Sequence, residues 1–385
     1  MDEADFLVVG GGMAGLSAAS RLVGHGRTIV LEGEDALGYH SSGRSVSYSH
    51  FGIGNATVRA LTAWSQGLFR NQPEGFCDTP LAVRSPSLQF ADEESLDRLE
   101  AMEAAIGEHG DPIVRLGPEE IRVYCPIVRT GPGAAVAGLL DPEALKLDAD
   151  AMLQSYVRAA RTGGGRILTG RRIASLLYEG GRWLAEAESG ERFTAPIVID
   201  AAGAWADRIA DLAGVRPLGL QPKRRTIIAL DPPDGIDVSA WPFVHSIRSD
   251  FYMLPESGRL LASPADEVED EPNDAAPDDY DVAYAADRLE HYCDIKVTRI
   301  AHRWAGLRSF VADRVPTAGF AQDAPGFFWL AGQGGYGLQT APAMAAIAEA
   351  LVTGADWPAG LAELGVTREK IEPARLFADA TAPSP

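Results

Sequence analysis

The sequence predicts an α/β chain: a discontinuous Rossmann-like nucleotide-binding domain that carries an inserted α+β substrate domain with a mostly antiparallel sheet. Three observations predict it. The chain opens with an apolar run, a glycine turn and a segment of helical periodicity. The same joint returns in the middle, at APIVIDAAGAWADRIADLAG (195–214), and near the end, at GFFWLAGQGGYGLQTAPAMAAIAEALV (326–352). Between the joints the chain is richer in short strands. The pattern assigns 1–82, 140–217 and 306–385 to the nucleotide-binding domain, and 83–139 with 218–305 to the substrate domain.

Taken in order, DFLVVG (5–10) is a short apolar run closed by glycine and reads as a buried strand. MAGLSAASRLVGHG (13–26) has apolar residues at helical spacing and stops at Gly24 and Gly26. RTIVLE (27–32) is a second strand and completes a β-α-β unit. In GYHSSGRSVSYSHFG (38–52), glycine, serine and aromatic residues crowd around Arg44 with no acidic residue, a run that packs little core of its own. Residues 55–70 read as a helix, 80–91 as strands and 92–110 as an amphipathic helix with an acidic start. Residues 148–164 read as a helix capped by Asp148 and stopped by glycines. KRRTIIAL (223–230), DFYMLP (250–255) and GRLLASP (258–264) read as sheet strands. ADEVEDEPNDAAPDDYD (265–281), acidic and proline-containing, reads as a surface loop.

Composition narrows the function. A chain of 385 residues is long enough for about two cored domains. Its net charge of −20 repels nucleic acid and anionic membrane and argues against both as partners. Lysine stands only at 146, 223, 296 and 370; the other basic residues are arginines. Cys77, Cys125 and Cys293 are odd in number and far apart, which argues against a disulfide framework or a metal site. The acidic start is unlike a signal peptide, and no apolar run is long enough to span a membrane. The expectation is a cytoplasmic protein.

The first joint, Gly10-Gly11-Gly12-Met13-Ala14-Gly15, satisfies G-x-G-x-x-G between a strand and a helix. Its glycines allow a tight turn, a close approach to pyrophosphate and helix–strand packing, with the anion at the helix N-terminus. Glu32 ends the second strand 17 residues past Gly15 (32 − 15), near the spacing of a ribose-binding acid. NAD and FAD both fit this unit. Ser41, Ser42, Arg44 and Ser45, with Val46 beside them, favour FAD: they offer donors suited to phosphate and to a flavin ring edge, where an NAD domain would place its next helix. In the last joint, Gly334, Gly335 and Gly337 leave backbone N–H groups bare before a helix, with Tyr336 and Leu338 among them. Such a helix start suits the negative charge of a reduced flavin. The middle joint offers Ala202, Gly203 and Trp205, as a backbone turn or as a cofactor contact. Arg225, Arg308 and Tyr252 suggest a carboxylate site, because arginine grips carboxylate with two parallel N–H groups and tyrosine adds an aimed hydroxyl.

These motifs resemble the FAD-dependent D-amino-acid oxidase superfamily, which includes glycine oxidase and sarcosine oxidase. Within it the chain is most similar to bacterial D-arginine dehydrogenases. GGGMAG, GYHSSGRS, AAGAWAD, RPLGLQPKRR, WAGLRSFVAD and GQGGYGLQT occur in the family's order and cover nearly the whole chain. The resemblance implies non-covalent FAD and oxidation of a small amino-acid substrate, with hydride passing from Cα to flavin N5 and the imino acid hydrolysing to a 2-oxo acid and ammonia. It implies that Arg225, Tyr252 and Arg308 hold the substrate carboxylate, that the backbone near Gly335 meets the amine, that Gln339 and Thr340 meet the flavin, and that Ile173 touches the adenine. Three positions depart from the arginine enzyme: Tyr48 stands for histidine, Ile53 for tyrosine and Ser87 for the glutamate that pairs with a cationic side chain. A guanidinium with no acid would be an unpaired buried charge, so a cationic side chain is not expected to be preferred. His50 is a further polar group that contacts the substrate's far end or fills the pocket. The stretch 258–267 has no lysine for oxygen activation, and 308–320 lacks the covalent-flavin cysteine. Both point to a dehydrogenase that passes electrons to a quinone or another carrier, with O2 as the alternative acceptor. Other readings are a glycine- or sarcosine-type amine oxidase, a 2-hydroxy-acid dehydrogenase with His50 or Tyr48 as base, and a non-catalytic flavin-binding subunit.

Overall fold

Alternation of apolar residues explains the central layer of the computed structural model, which describes residues 1–108, 113–233 and 235–381. In the strand Phe6–Val9, Phe6 and Val8 join one buried cluster, and Leu7 and Val9 join another on the opposite face. A strand covered on both sides must be apolar throughout, which is why DFLVVG reads as a continuous run. It sits inside a six-stranded sheet, in the order 166–168, 28–31, 6–9, 197–200, 327–331 and 317–320. All neighbours are parallel except the last pair. One face carries the helices Met13–Leu22, Ala56–Arg70, Ala149–Thr162 and Gly337–Thr353. The other carries the antiparallel strands Ile173–Glu179, Arg182–Ala187 and Arg192–Ala195, and the helix Ala206–Ala213. All three glycine-turned joints place a strand of this sheet before a helix.

A nine-stranded sheet forms the second layer system. Its strands include Ser87–Ala91, Gln221–Leu230, Phe243–Ser246, Tyr252–Glu256, Arg259–Ser263 and His302–Phe310. Pairing is antiparallel except between 243–246 and 87–91. Here too the period of two sorts the faces. Ile228, Leu230 and Met253 pack toward the helix Asp279–Tyr292, while Ile227, Ala229, Tyr252 and Leu254 belong to the opposite face.

Several expectations shift. The first helix ends at Leu22, and Gly24 closes the following turn instead of the helix. The helix expected over 92–110 is a short 3-10 turn, Glu93–Ser95, followed by Leu96–Gly107; residues 109 and 110 lie outside the described residues. The segment 265–281 is not simply a surface loop. It contains the short strand Val268–Glu269, it starts the helix at Asp279, and Asp266 and Glu267 turn inward onto arginines. Charge alone read it as solvated; paired carboxylates can be buried. The helix capped by Asp148 forms over Ala149–Thr162, with the Asp148 carboxylate accepting from the Ala151 N–H at 2.8 Å.

Candidate active site

The glycine turn after the first strand is dictated by contact. Gly10 has φ +113°, and a Cβ there would lie 2.4 Å from the Ala201 carbonyl oxygen. A Cβ on Gly15 would lie 2.0 Å from the Gly10 oxygen, so Gly15 serves helix–strand packing and is not on the cavity wall. The Glu32 carboxylate folds over the turn, accepting from the Gly11 N–H at 2.6 Å and the Glu34 N–H at 2.8 Å. Ser42 Oγ accepts from the Met13 N–H at 2.9 Å and so caps the first helix.

A cavity of about 1360 Å³ runs from this turn into the second sheet. Gly10, Gly12, Ala14 and Glu32 line one end. Ser41, Ser42, Arg44, Ser45 and Val46 line its side, and Ile173, Ala202, Gly203 and Trp205 close it near the middle joint. Gly334, Tyr336, Gly337, Leu338 and Gln339 line it at the start of the last helix. Thr340 is buried inside that helix, its hydroxyl donating to the Tyr336 carbonyl at 2.8 Å, and does not reach the wall.

Arg44 differs from the expectation of a phosphate donor. Its Nη1 donates to the Ala275 and Ala305 carbonyls at 2.9 and 3.2 Å, its Nε to Tyr39 O at 3.3 Å, and its Nη2 pairs with Asp274. The guanidinium ties the 38–52 segment to the acidic segment and to the strand His302–Phe310. Ser41 is similarly engaged, donating to the Leu307 carbonyl at 2.6 Å. Both residues hold the wall, because their donors face protein carbonyls.

The sheet register assembles the charged end. Arg225 lies opposite Gly306, and Arg308 is two residues further along the same strand. Opposite and i+2 positions share a face, so both arginines project to one side, and the Arg44 side chain lies over Gly306 on that face. Arg308 also lies against Gly335: a Cβ on Gly335 would be 1.9 Å from Arg308 Nη2. The Arg225 guanidinium sits 5.7 Å from the Tyr252 ring centre. Arg225, Tyr252, Arg308 and Gly335 thus meet in the cavity.

Three residues absent from the sequence expectations complete this end. The Glu267 carboxylate accepts from Arg308 Nη1 at 2.9 Å and from Arg314 Nη2 and Nη1 at 2.7 and 3.0 Å, with Arg225 Nη2 3.7 Å away. Asp266 lies 3.7 Å from Arg225 Nε and accepts from the Thr226 N–H at 2.8 Å. Burial would raise the Glu267 pKa, but the hydrogen bond from Arg314 and the charges of Arg308, Arg314 and Arg225 outweigh it and hold it low. Burial first, and the Arg225 charge second, push Arg308 down to about 10, so it stays cationic at neutral pH. The three guanidiniums face two carboxylates, leaving one positive charge in excess (3 − 2 = 1). The sequence signal for this cluster was the ADE tripeptide, hidden at the edge of an acidic run.

Tyr48 and His50 line the cavity beyond Tyr252, with Phe243 and His245. Burial raises the Tyr48 phenol to about 12, although Ser85 hydrogen-bonds it, so it remains protonated and is no base. Burial lowers His50 to about 4; burial and then the neighbouring His50 put His245 well below its usual value. Among the described residues no cluster of histidine, cysteine or acidic groups could hold a metal, and no helix is long and apolar enough to cross a membrane.

Known proteins share this plan. A 28% identical relative, the uncharacterized oxidoreductase YurR of Bacillus subtilis, matches over 261 residues, 64% of each chain. The chain therefore spans just under two thirds of that relative. The solved glycine oxidase of Geobacillus kaustophilus superposes with a TM-score of 0.81 at 21% identity, covering 96% of this chain and 99% of that one. L-alpha-glycerophosphate oxidase of Mycoplasma pneumoniae, solved with FAD bound, superposes with a TM-score of 0.81 at 20% identity over 92% and 95%. The model of the DAO family, FAD dependent oxidoreductase, matches residues 5–351, and with the glycine-turned cradle and the long cavity in place, the chain belongs to that family of FAD-dependent oxidoreductases.

Proposed function

We propose that the chain oxidises a D-amino acid at Cα, converting the CH–NH2 group to an imine that water hydrolyses to a 2-oxo acid and ammonia. The observation that carries this reading is the convergence of Arg225 and Arg308 beside Gly335, on the same turn that opens the last helix. The residues present fit FAD. The Gly10 turn admits no Cβ, Glu32 stands at the end of the second strand, and the Gly334–Gly337 turn opens at the far side of one continuous cavity. Gly10, Gly12, Ala14, Ser42 and Glu32 would hold the adenine-nucleotide side with Ile173; Ser45, Val46 and the 334–339 turn would hold the ring side. FAD bound there supplies the acceptor for the hydride leaving Cα.

The protein's own residues do the positioning. Arg308 Nη2 and the free edge of the Arg225 guanidinium take the substrate carboxylate, whose single charge neutralises the excess positive charge. The Tyr252 hydroxyl limits its tilt. A clamp of this kind turns an encounter between two molecules into one fixed geometry. The Gly335 backbone lies next to Arg308, where the amine of a clamped substrate falls. The amine must release its proton for its lone pair to assist hydride loss. That proton goes to water, and the neighbouring Arg308 cation disfavours the ammonium form. Electrons then leave to a quinone or similar carrier; no lysine stands among the residues that line the cavity, which supports a dehydrogenase over an oxidase.

One observation favours a second reading, oxidation of a 2-hydroxy acid: His50 is a neutral imidazole in the cavity and could accept a hydroxyl proton. Anaerobic mixing of the FAD-loaded protein with D- and L-amino acids, N-methyl amino acids and 2-hydroxy acids separates the readings. Bleaching of the flavin by D-amino acids, with ammonia released in equal amount, is expected. Bleaching by hydroxy acids alone would overturn the amine reading in favour of the second.

A further inference from the structure

The far end of the cavity is an aromatic and imidazole box. The Phe243 ring centre is 4.9 Å from that of Tyr48, 5.4 Å from Tyr252 and 5.2 Å from His50, and Phe243 stacks on His245 at 5.0 Å. His50 and His245 meet edge to face at 5.2 Å. The box adjoins the carboxylate end through Tyr252, which carries the Arg225 guanidinium on its ring.

The two histidines differ in their partners. His245 is anchored: Nε2 lies 3.1 Å from Ser87 Oγ, and Nδ1 lies 3.4 Å from Gln89 Nε2. Gln89 Nε2 also donates to the Gly52 carbonyl at 3.4 Å, which assigns the amide nitrogen to that side. His245 therefore accepts at Nδ1 and donates from Nε2. The His50 ring has no hydrogen bond to any described residue: its Nδ1 is enclosed without a partner, and its Nε2 is the ring nitrogen left to the cavity. Only its backbone N–H is engaged, with Gln339 Oε1 at 3.4 Å. The residue is 6% exposed and lines the cavity. An unpaired buried polar group is destabilising, and a leucine would fill the same space without that penalty.

We propose that this box is the substrate side-chain subsite, and that it selects an amino acid whose side chain is uncharged and ends in a hydrogen-bonding group, with His50 as the partner. The assignment rests on the reading of the cavity as an amino-acid oxidising site. Charge excludes the other classes. Both imidazoles are neutral through burial, and the nearest cation, Arg225, is committed to the substrate carboxylate, so an anionic side chain finds no free counter-charge. A cationic one meets the Arg225 guanidinium at Tyr252 and no carboxylate among Tyr48, His50, Phe243, His245 and Tyr252. An aliphatic one fits the rings but leaves His50 unsatisfied. A carboxamide, hydroxyl or imidazole tip fits the rings and pairs with it.

The test compares near-isosteric substrates of the reacting enantiomer on the full FAD-loaded chain, read as anaerobic flavin bleaching. Glutamine is expected to exceed methionine, and asparagine to exceed leucine, by tenfold or more in the second-order rate constant, with lysine, arginine, aspartate and glutamate slower still. Sites built around a hydrogen bond discriminate at least this strongly against partners that lack it. His50→Phe is expected to bring glutamine and methionine within about twofold, and His50→Gln to keep the preference. Equal or faster bleaching by the aliphatic or charged substrates, or an unchanged ratio in His50→Phe, would overturn the subsite assignment while the amine reaction stands. Bleaching by no amino acid at all would overturn the reaction and the subsite together.

Discussion

Arg308 is held by Glu267 at 2.9 Å on one side and by the Gly335 backbone on the other, so its guanidinium has a fixed aim. Substituting Arg308→Met removes the charge and keeps much of the side-chain volume. A charge-assisted hydrogen bond contributes about 1.5–3 kcal/mol, so losing the one from Nη2 should raise KM by roughly ten- to 100-fold. Steady-state kinetics, with FAD content checked by absorbance, reads the effect; an unchanged KM would remove Arg308 from the substrate site. Glu267→Gln predicts the opposite sign. The wild-type carboxylate cancels part of the positive charge that attracts the substrate, so the variant should bind substrate about three- to tenfold more tightly. A higher KM would instead show that Glu267 builds the arginine geometry. Arg225 and Arg308 were legible from residue type and motif. Glu267, Asp266 and Arg314 were not, because an acidic run reads as solvated until its partners are known.

At the scale of elements, a turn and a sheet register do the work. Gly335→Ala would press a methyl group onto Arg308, and the adjoining helix start cannot retreat, since the Gly334 N–H is tied to the Ser309 carbonyl at 2.9 Å. Retained flavin with a KM raised tenfold or more is the expected outcome, measured by flavin absorbance and steady-state kinetics. The glycine-turned joints were readable because turn chemistry and helical periodicity are local properties of the chain. The strand His302–Phe310 was not read, although it aligns Arg308 with Arg225. Its pairing partner lies about eighty residues earlier, and register is a relation between segments. The segment 38–52 shows the same limit. Its composition marked it as a source of donors for the cofactor, but the donors of Arg44 and Ser41 turned out to face protein carbonyls.

For the whole molecule, burial of His50 and His245 couples folding to pH. The folded pKa of His50 is depressed to about 4 from the unfolded value of about 6.5. Between those values the unfolded chain binds a proton that the folded chain refuses. Stability therefore falls as pH drops from about 6.5 to about 4, by up to about 3 kcal/mol for His50 alone, and the loss levels off below. His245 acts in the same direction. Glu267 has a depressed carboxylate pKa, so its contribution is lost only at lower pH, as the pH falls through that value. Thermal unfolding of the FAD-loaded protein should show a Tm that declines between about pH 6.5 and 4.5, and His50→Phe should flatten the decline. A parallel decline in wild type and variant would show that His50 is not its source.

The sequence by itself determined the α/β class, the glycine cradle with Glu32, the family resemblance and the arginines and tyrosine that gather in the cavity. Each of these is written in local spacing or in residue chemistry. Only the tertiary structure decided that three arginines share Glu267, that Arg44 braces the wall, and that two neutral histidines close an aromatic box. Those outcomes depend on which distant segments pack together, because burial and partnership, and with them the charge a side chain carries, belong to the folded neighbourhood and not to the residue.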